Sequence, residues 1–309
     1  MSICSRRRPE LLTKAIESIL ANKIPENVEF SLLILENDNT PQYADIIASF
    51  RDRVTIHYVV EPRPGLTFGR NKVLSTATKL RVDWLGSIDD DVEVTPDWLT
   101  HMVASIRKYS DTDLFYGNWI RNQHPDAPAW HPRPQPLNKA PTGRKIKVSS
   151  FNNIAVNARV FSPEGMNLKF DPQFMFTGGE DTDFTRQYLR AKGTIRSVFE
   201  ARAYEDINDD RAEFSKRLST YSSTEYALVK IRHKHNGYLK STFWSLQSIY
   251  RFTVLGVFNI LIGFLALPFN ELWGLTRYGV GRKMLAGCRG VLQYYFGSEP
   301  QPYKEPASK

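Results

Sequence analysis

Apolar positions along residues 1–118 switch between two periods. Residues 2–4 are the stub of a strand. Leu11, Leu12, Ala15, Ile16, Ile19 and Leu20 then share one helical face behind Pro9, a residue suited to a first helical position. Residues 30–35 (FSLLIL) form a continuous apolar run, as a strand buried on both faces does, and residues 54–60 form another. Phe68, Val73, Leu74, Ala77 and Leu80 mark a helix. Residues 84–88 read as a strand, residues 96–109 as a helix, and residues 114–118 as the next strand. Strand and helix alternating in this order predict an α/β fold: a mostly parallel sheet with helices on both faces. Ligands of such sheets bind beyond the carboxyl ends of the strands.

Residues 121–143 break the pattern. They hold six of the 18 prolines, with Trp130 and two histidines, and read as a loop over the acceptor side or as a passive insertion. Strand-like segments resume at Ser149. A helix follows over 182–192, stopped by Gly193. Beyond Tyr221 the composition turns basic and aromatic, and residues 299–309 read as a disordered tail.

Charge changes this picture by its position. The chain of 309 residues carries 41 Lys and Arg against 33 acids, a net +8. Residues 226–298 hold nine Lys or Arg and one acid, Glu271, so this block alone nets 9 − 1 = +8. The remainder is neutral. The two cysteines, Cys4 and Cys288, form neither a disulfide framework nor a zinc site, which predicts a reducing compartment. The N-terminus shows no apolar stretch of signal-peptide length, so the bulk of the chain is expected in the cytosol.

Three clusters carry chemistry. Asp89-Asp90-Asp91 closes the run WLGSI. On an extended chain Asp89 and Asp91 point to one face and Asp90 to the other, so the pair could hold a divalent ion, Mg²⁺ or Mn²⁺, that also binds a diphosphate. The competing reading is a solvated acidic turn; the place after a buried-type strand favours the ion. Gly178-Gly179-Glu180-Asp181-Thr182-Asp183-Phe184 sets carboxylates at a helix start. It reads either as an ordinary cap or as a general base, with Glu180 and Asp183 crowding Asp181 by like charge and so raising its pKa. Arg63 to Asn71 is a glycine-bearing turn with Arg and Asn at a helix start, suited to an anionic or nucleotide ligand.

Together these clusters resemble the family 2 glycosyltransferases of GT-A fold, over about residues 1–240, and most closely the bacterial members that build exopolysaccharide or other envelope glycans. Cys4 to Glu10 (CSRRRPE) is similar to the family's Cys-Thr-x-Arg-Arg-Pro-x start, and Leu35 to Asp38 to its Val-Asp-Asn-Asp segment. Gly65 to Asn71 matches Gly-x-x-x-Ala-Arg-Asn, Asp89 to Asp91 the metal-binding Asp-x-Asp, and Gly178 to Phe184 the Gly-Gly-Glu-Asp-x-Asp-Phe base motif. The resemblance implies that Ser5, Glu36 and Asn37 line a uridine pocket, with Arg70 and Asn71 near the nucleotide. Asp89 faces the ribose or the metal, Asp91 ligates the metal, Asp181 is the base and Glu180 positions the acceptor. It implies inverting transfer from a nucleotide-diphosphate sugar, most simply a UDP-sugar, to a hydroxyl of a glycan or lipid-linked acceptor, with Mg²⁺ or Mn²⁺. Three departures stand out: a first strand only three residues long before Cys4, Glu36 for the usual Asp, and Gly69 for the usual Ala. Alternatives are a nucleotidyltransferase, which has no need of the Glu180-Asp181 base, and a non-catalytic sugar-nucleotide binder.

Residues 252–269 (FTVLGVFNILIGFLALPF) carry no charge. As a helix they reach about 27 Å at ~1.5 Å per residue, short of a hydrocarbon core of ~30 Å. Both flanks are basic, which opposes a single span under the positive-inside rule. A hairpin or helices lying in the interface keep both flanks on one side; a buried helix of a soluble domain is the other reading. The organisation expected is therefore a catalytic domain at 1–240, a membrane-associating helical region at 241–298 and a tail at 299–309. The expected location is the cytoplasmic face of the bacterial inner membrane, peripheral or monotopic. Nucleic acid is an unfitting partner, because the basic residues interleave with an apolar run rather than forming a polar face.

Overall fold

The computed structural model describes residues 1–122, 127–128, 139–147, 150–206, 213–300 and 302. The proline-rich segment assigned to the acceptor side falls largely outside these residues, as does the tail, apart from Glu299, Pro300 and Pro302. The chain divides into two compact units. One comprises residues 1–122, 135–175 and 180–206; the other comprises 123–134, 176–179 and 207–309.

The first unit is built on a mixed sheet. In chain order its strands are β1 (Ser2–Ser5), β2 (Leu32–Glu36), β3 (Ile56–Val60), β4 (Trp84–Asp89), β5 (Val92–Val94), β6 (Leu114–Asn122), β7 (Lys145–Ile146), β8 (Asn153–Asn157) and β9 (Ile195–Asp206). They lie in the order β3-β2-β1-β4-β8-β6-β9-β5, with β7 on β9. β1, β2, β3 and β4 run parallel. β8 opposes both β4 and β6, β9 is parallel to β6, and β5 and β7 oppose β9. The sheet is thus mostly parallel, as the sequence pattern predicts. The short first strand is central: it pairs with β2 over Ser2–Ser5 and with β4 over Ser2–Cys4.

The helices of this unit are α1 (Pro9–Leu20), α2 (Ala44–Phe50), α3 (Leu66–Lys79), α4 (Trp98–Lys108), α5 (Ala158–Phe161) and α6 (Glu180–Arg190). The LLIL of β2 shows why both faces are covered. Leu32 and Ile34 join a core with Leu12, Ile16, Ile47 and Trp98 of α1, α2 and α4. Leu33 and Leu35 join a second core with Val73, Leu74, Phe161 and Tyr188 of α3, α5 and α6. Alternate side chains of one strand therefore serve two cores, which leaves no face for polar residues. The carboxyl ends of β1, β2 and β4 align, with Ser5 opposite Glu36 and Cys4 opposite Asp89. The chain runs from β1 through β2 to β3 on one side and then crosses to β4 on the other side of β1, so the carboxyl ends of β1, β2 and β4 flank the switch point where such sheets bind ligands.

The second unit is helical: α7 (Phe214–Asn236), α8 (Tyr238–Ala266) and α9 (Glu271–Phe296). α8 and α9 form an antiparallel pair along a glycine seam. A Cβ at Gly263 would lie 2.8 Å from Gly274 O, and one at Gly281 would lie 2.6 Å from Gly256 O. Any side chain at these positions would force the backbones apart.

Candidate active site

Arg70 organises the carboxyl edge. α3 opens at Gly65, whose φ of +126° no L side chain adopts without strain, and where a Cβ would sit 3.2 Å from Met175 Cβ. One helical turn on, Arg70 is buried, only 8% exposed. Its Nη1 pairs with Asp181 Oδ1, while its Nη2 lies 3.6 Å from Asp89 Oδ1 and 3.7 Å from Glu180 Oε1. Phe151 and Phe170 face its guanidinium, with ring centroids at 5.6 and 5.5 Å. One cation therefore joins the end of β4 to the first turn of α6. Positive φ at Gly178 (76°) and Gly179 (89°) turns the chain into that helix. The carboxylates at its start are favoured by its dipole.

The environment of Asp181 differs from the sequence expectation. The charge nearest to it is the Arg70 guanidinium, not a crowd of acids. Its Oδ2 accepts from the Phe151 amide at 3.0 Å. Asp183 is turned away, fully buried and accepting from Gln187 Nε2 at 2.8 Å. It is Glu180 whose carboxyl is pushed above its ordinary range, by burial and against the pull of Arg70.

The aspartate triplet also departs from extended alternation. β4 ends at Asp89, and the chain turns at Asp90 and Asp91, so the period of two stops there. Asp89 is directed to Arg70. Asp90 and Asp91 share Arg8, whose Nη1 lies 3.1 Å from Asp90 Oδ1 and 3.3 Å from Asp91 Oδ2. Asp90 also accepts from Ser5 Oγ at 2.7 Å, and burial pushes its carboxyl up to about 6 despite Arg8 and that hydroxyl.

Four residues assigned to the nucleotide have polar atoms committed within the protein. Ser5 Oγ bonds Asp90 and, at 2.8 Å, Tyr43 Oη. Glu36 is 1% exposed; it accepts from the amides of Gln42 (2.7 Å) and Tyr43 (3.2 Å) and from Tyr58 Oη. Asn37 Nδ2 donates to the carbonyls of Glu61 and Arg63, both at 2.8 Å. Asn71 exchanges two bonds with the backbone of Phe170. Arg70 and Asp89 are the two that converge with Glu180 and Asp181. Gly69 also has a local reason: a Cβ there would meet Leu35 Cδ2 at 2.9 Å.

Sequence reasoning missed Arg8, Tyr43, Phe151 and Phe170. Arg8 had a signal, being a cation between β1 and the Pro9 that opens α1. The two phenylalanines had none, since only the tertiary fold brings them to Arg70. Among the described residues no three His, Cys, Asp or Glu side chains form a group able to hold a metal. Asp89 and Asp91 are hard oxygen donors, and in this structure they face Arg70 and Arg8 respectively. A pair of such donors fits Mg²⁺ or Mn²⁺ carried in with a diphosphate rather than caged by protein.

The family model for glycosyl transferase family 2 matches residues 2–177. The chain belongs to glycosyl transferase family 2. This family 2 chain is 27% identical over 217 residues to the succinoglycan biosynthesis protein ExoM of Rhizobium meliloti, covering 70% of this chain and 69% of that protein. It is 23% identical over 224 residues to the hyaluronan synthase of Pasteurella multocida, covering 70% of this chain but 22% of that one. Among solved structures it is similar to S. aureus TarS 1–349 in complex with UDP-GlcNAc, with a TM-score of 0.57 and 13% identity, covering 95% of this chain and 90% of that. GalNAc-T7 with UDP, GalNAc and Mn²⁺ gives a TM-score of 0.52 at 15% identity, covering 76% and 53%. At these identities the likeness to solved structures is one of fold, and the fold agrees with the GT-A expectation.

Proposed function

We propose that residues 1–240 transfer a sugar from a UDP-sugar to a hydroxyl of a glycan or lipid-linked acceptor in envelope polysaccharide synthesis, with inversion and with Mg²⁺ or Mn²⁺. Residues 241–298 attach this activity to the cytoplasmic face of the bacterial inner membrane. The observation that carries the reading is Arg70, which joins Asp89 at the end of β4 to Glu180 and Asp181 at the start of α6. Those groups come from distant parts of the sequence and belong to the donor and acceptor halves of a transfer.

In this reading Arg70 and Asp89 face the nucleotide, and Asp89 and Asp91 hold the metal. Ser5, Glu36, Asn37 and Asn71 shape the uridine pocket from behind. A divalent cation, when bound, neutralises the charge growing on the leaving diphosphate. Arg70, drawn towards that diphosphate, frees Asp181 Oδ1. The Phe151 amide holds the other oxygen of Asp181 in place. Asp181 then takes the proton of the acceptor hydroxyl, which is a weak nucleophile at neutral pH. Glu180, whose carboxyl burial pushes above its ordinary range, positions that acceptor. A base opposite the leaving group gives a single displacement with inversion and needs no covalent intermediate.

A screen of nucleotide sugars, with Mn²⁺ or Mg²⁺ against EDTA, tests this directly. UDP is expected to raise Tm more with Mn²⁺ than with EDTA; an equal rise removes Asp91 and Asp89 as ligands. Asp181→Asn is expected to keep UDP binding and lose transfer. Retained turnover removes Asp181 as the base.

A further inference from the structure

α8 is long and apolar enough to cross a membrane, yet only 22% of its most apolar stretch is buried. Its buried positions, among them Ser241, Ser245, Phe252, Gly256, Asn259 and Gly263, recur on one face. The opposite face is a second stripe at the same period. Leu239, Leu246, Tyr250, Val257, Leu261 and Leu265 lie along it, each between 45 and 85% exposed. This stripe begins well before the uncharged run at 252–269 and continues past Arg251 without admitting a charge. Lys240 and Arg251 stand at its border, with Lys240 Nζ 4.9 Å from the Trp244 ring and the Arg251 guanidinium 5.3 Å from that of Phe252.

We infer that α8 lies flat in the interface of an anionic bilayer, with the Leu239–Leu265 stripe in the acyl boundary and Lys240 and Arg251 among the headgroup phosphates. The inference rests on the membrane attachment proposed above and fixes its geometry. A spanning helix is apolar on all its lipid-facing sides over one stretch of core thickness. α8 instead begins with exposed apolar residues on one side only (Leu239, Phe243, Leu246 and Tyr250), beside Lys240, Gln247 and Arg251, and is apolar on its other exposed sides only beyond Arg251; that first half sets the axis of a helix of 29 residues, about 43 Å at ~1.5 Å per residue. Charge selects the occupant. A stripe at this spacing could also pair two copies of the chain. Pairing, however, would bring together two blocks that each net +8 (residues 226–298), whereas an anionic surface neutralises them.

The test places a single environment-sensitive fluorophore on cysteine at Phe243, Tyr250, Val257 or Phe264 in the full chain, with Cys4 and Cys288 replaced by alanine. Vesicles of phosphatidylcholine, with or without phosphatidylglycerol, are added, and depth is read with lipid-borne quenchers. The expected result is a blue shift at all four positions and one shallow depth. A graded profile, deepest near Val257, overturns the flat geometry while leaving membrane attachment standing. No shift on either vesicle overturns both, and UDP binding measured in the same samples shows whether the catalytic reading stands apart. Contact between labels on different copies without vesicles overturns lipid as the occupant. Leu246→Ser with Leu261→Ser should lower vesicle partitioning about a hundredfold, at about tenfold for each apolar side chain withdrawn. Lys240→Glu with Arg251→Glu should weaken binding to the anionic vesicles and leave the neutral ones unchanged. An equal loss on both removes the headgroup role.

Discussion

Replacing Arg70 by Met keeps an unbranched side chain between Phe151 and Phe170 but removes the cation. Three carboxylates are then left without their shared partner, and the Glu180 residue is itself 5% exposed. Breaking a buried ion pair by removing one member costs about 3–5 kcal/mol, chiefly through the uncompensated charge left behind. For a unit of this size each kcal/mol lowers Tm by about 2–4 °C, so a fall of about 6–20 °C is expected. Arg63→Met is the control, since Arg63 is largely exposed beside Glu61 and solvent screens its pair. The assay is urea and thermal unfolding from pH 7.5 to 5. Without Arg70 the folded-state carboxylates protonate more readily than the unfolded ones. The deficit is therefore fully present above their raised pKa values and shrinks as pH falls through them. Two results would refute the reasoning. A loss below about 1 kcal/mol means the carboxylates are not held by Arg70. A large loss that ignores pH means that Arg70 acts by packing between the rings rather than by charge.

Glu36→Gln should cost about 2–3 kcal/mol in urea unfolding, since an amide nitrogen would face donors that now meet a carboxylate, while UDP affinity per folded molecule changes little. A lost UDP affinity at full stability would return Glu36 to the nucleotide. Glu180→Gln should flatten the pH profile of stability. With its folded pKa raised above the ordinary 4.5, the native state holds a proton that the unfolded state releases, so wild-type stability falls as pH rises above that value. Matching slopes in the metal-free wild type and variant would remove the burial argument. Gly281→Val should loosen the α8–α9 seam, because its Cβ would lie 2.6 Å from Gly256 O, and limited proteolysis should cut between the two helices sooner.

The fold was legible where one periodicity had one meaning. The four apolar residues LLIL could only be a strand covered twice, and two separate cores bear this out. The motif residues were legible as a set, because their order along the chain survives in the alignment of β1, β2 and β4. The directions of side chains were not. Asp89 to Asp91 follow the alternation of a strand only if the strand continues, and it ends at Asp89. The like-charge crowd around Asp181 looked decisive in sequence, but the nearest charge comes from more than a hundred residues upstream. In α8 the uncharged run drew attention to 252–269, while the exposed stripe starts at Leu239. A window that averages hydropathy cannot separate the two faces of a helix, and it is the face that distinguishes crossing a membrane from lying in it.

Glu36 shows how a departure from the family pattern acquires a cause. A carboxylate placed in the usual Asp position at the end of β2 would have a shorter reach. The extra methylene carries the Glu36 oxygens to two amides at the start of α2 and to Tyr58 on β3. The residue therefore ties the end of one strand to the entry of the next helix and to the neighbouring strand. A buried carboxylate is tolerated there because several donors surround it. With Ser5 on Asp90 and Asn37 on two carbonyls, the carboxyl edge holds its own polar groups in fixed directions before any ligand arrives. Arg70 differs in kind from these. Its charged partners are all carboxylates of the site, so a diphosphate entering there in the proposed reaction would compete for it by charge, whereas Glu36 is 1% exposed and enclosed by its donors. The same edge thus contains a rigid frame and one cation shared by three carboxylates, and in the proposed reaction exchange of that cation would couple donor binding to the release of Asp181.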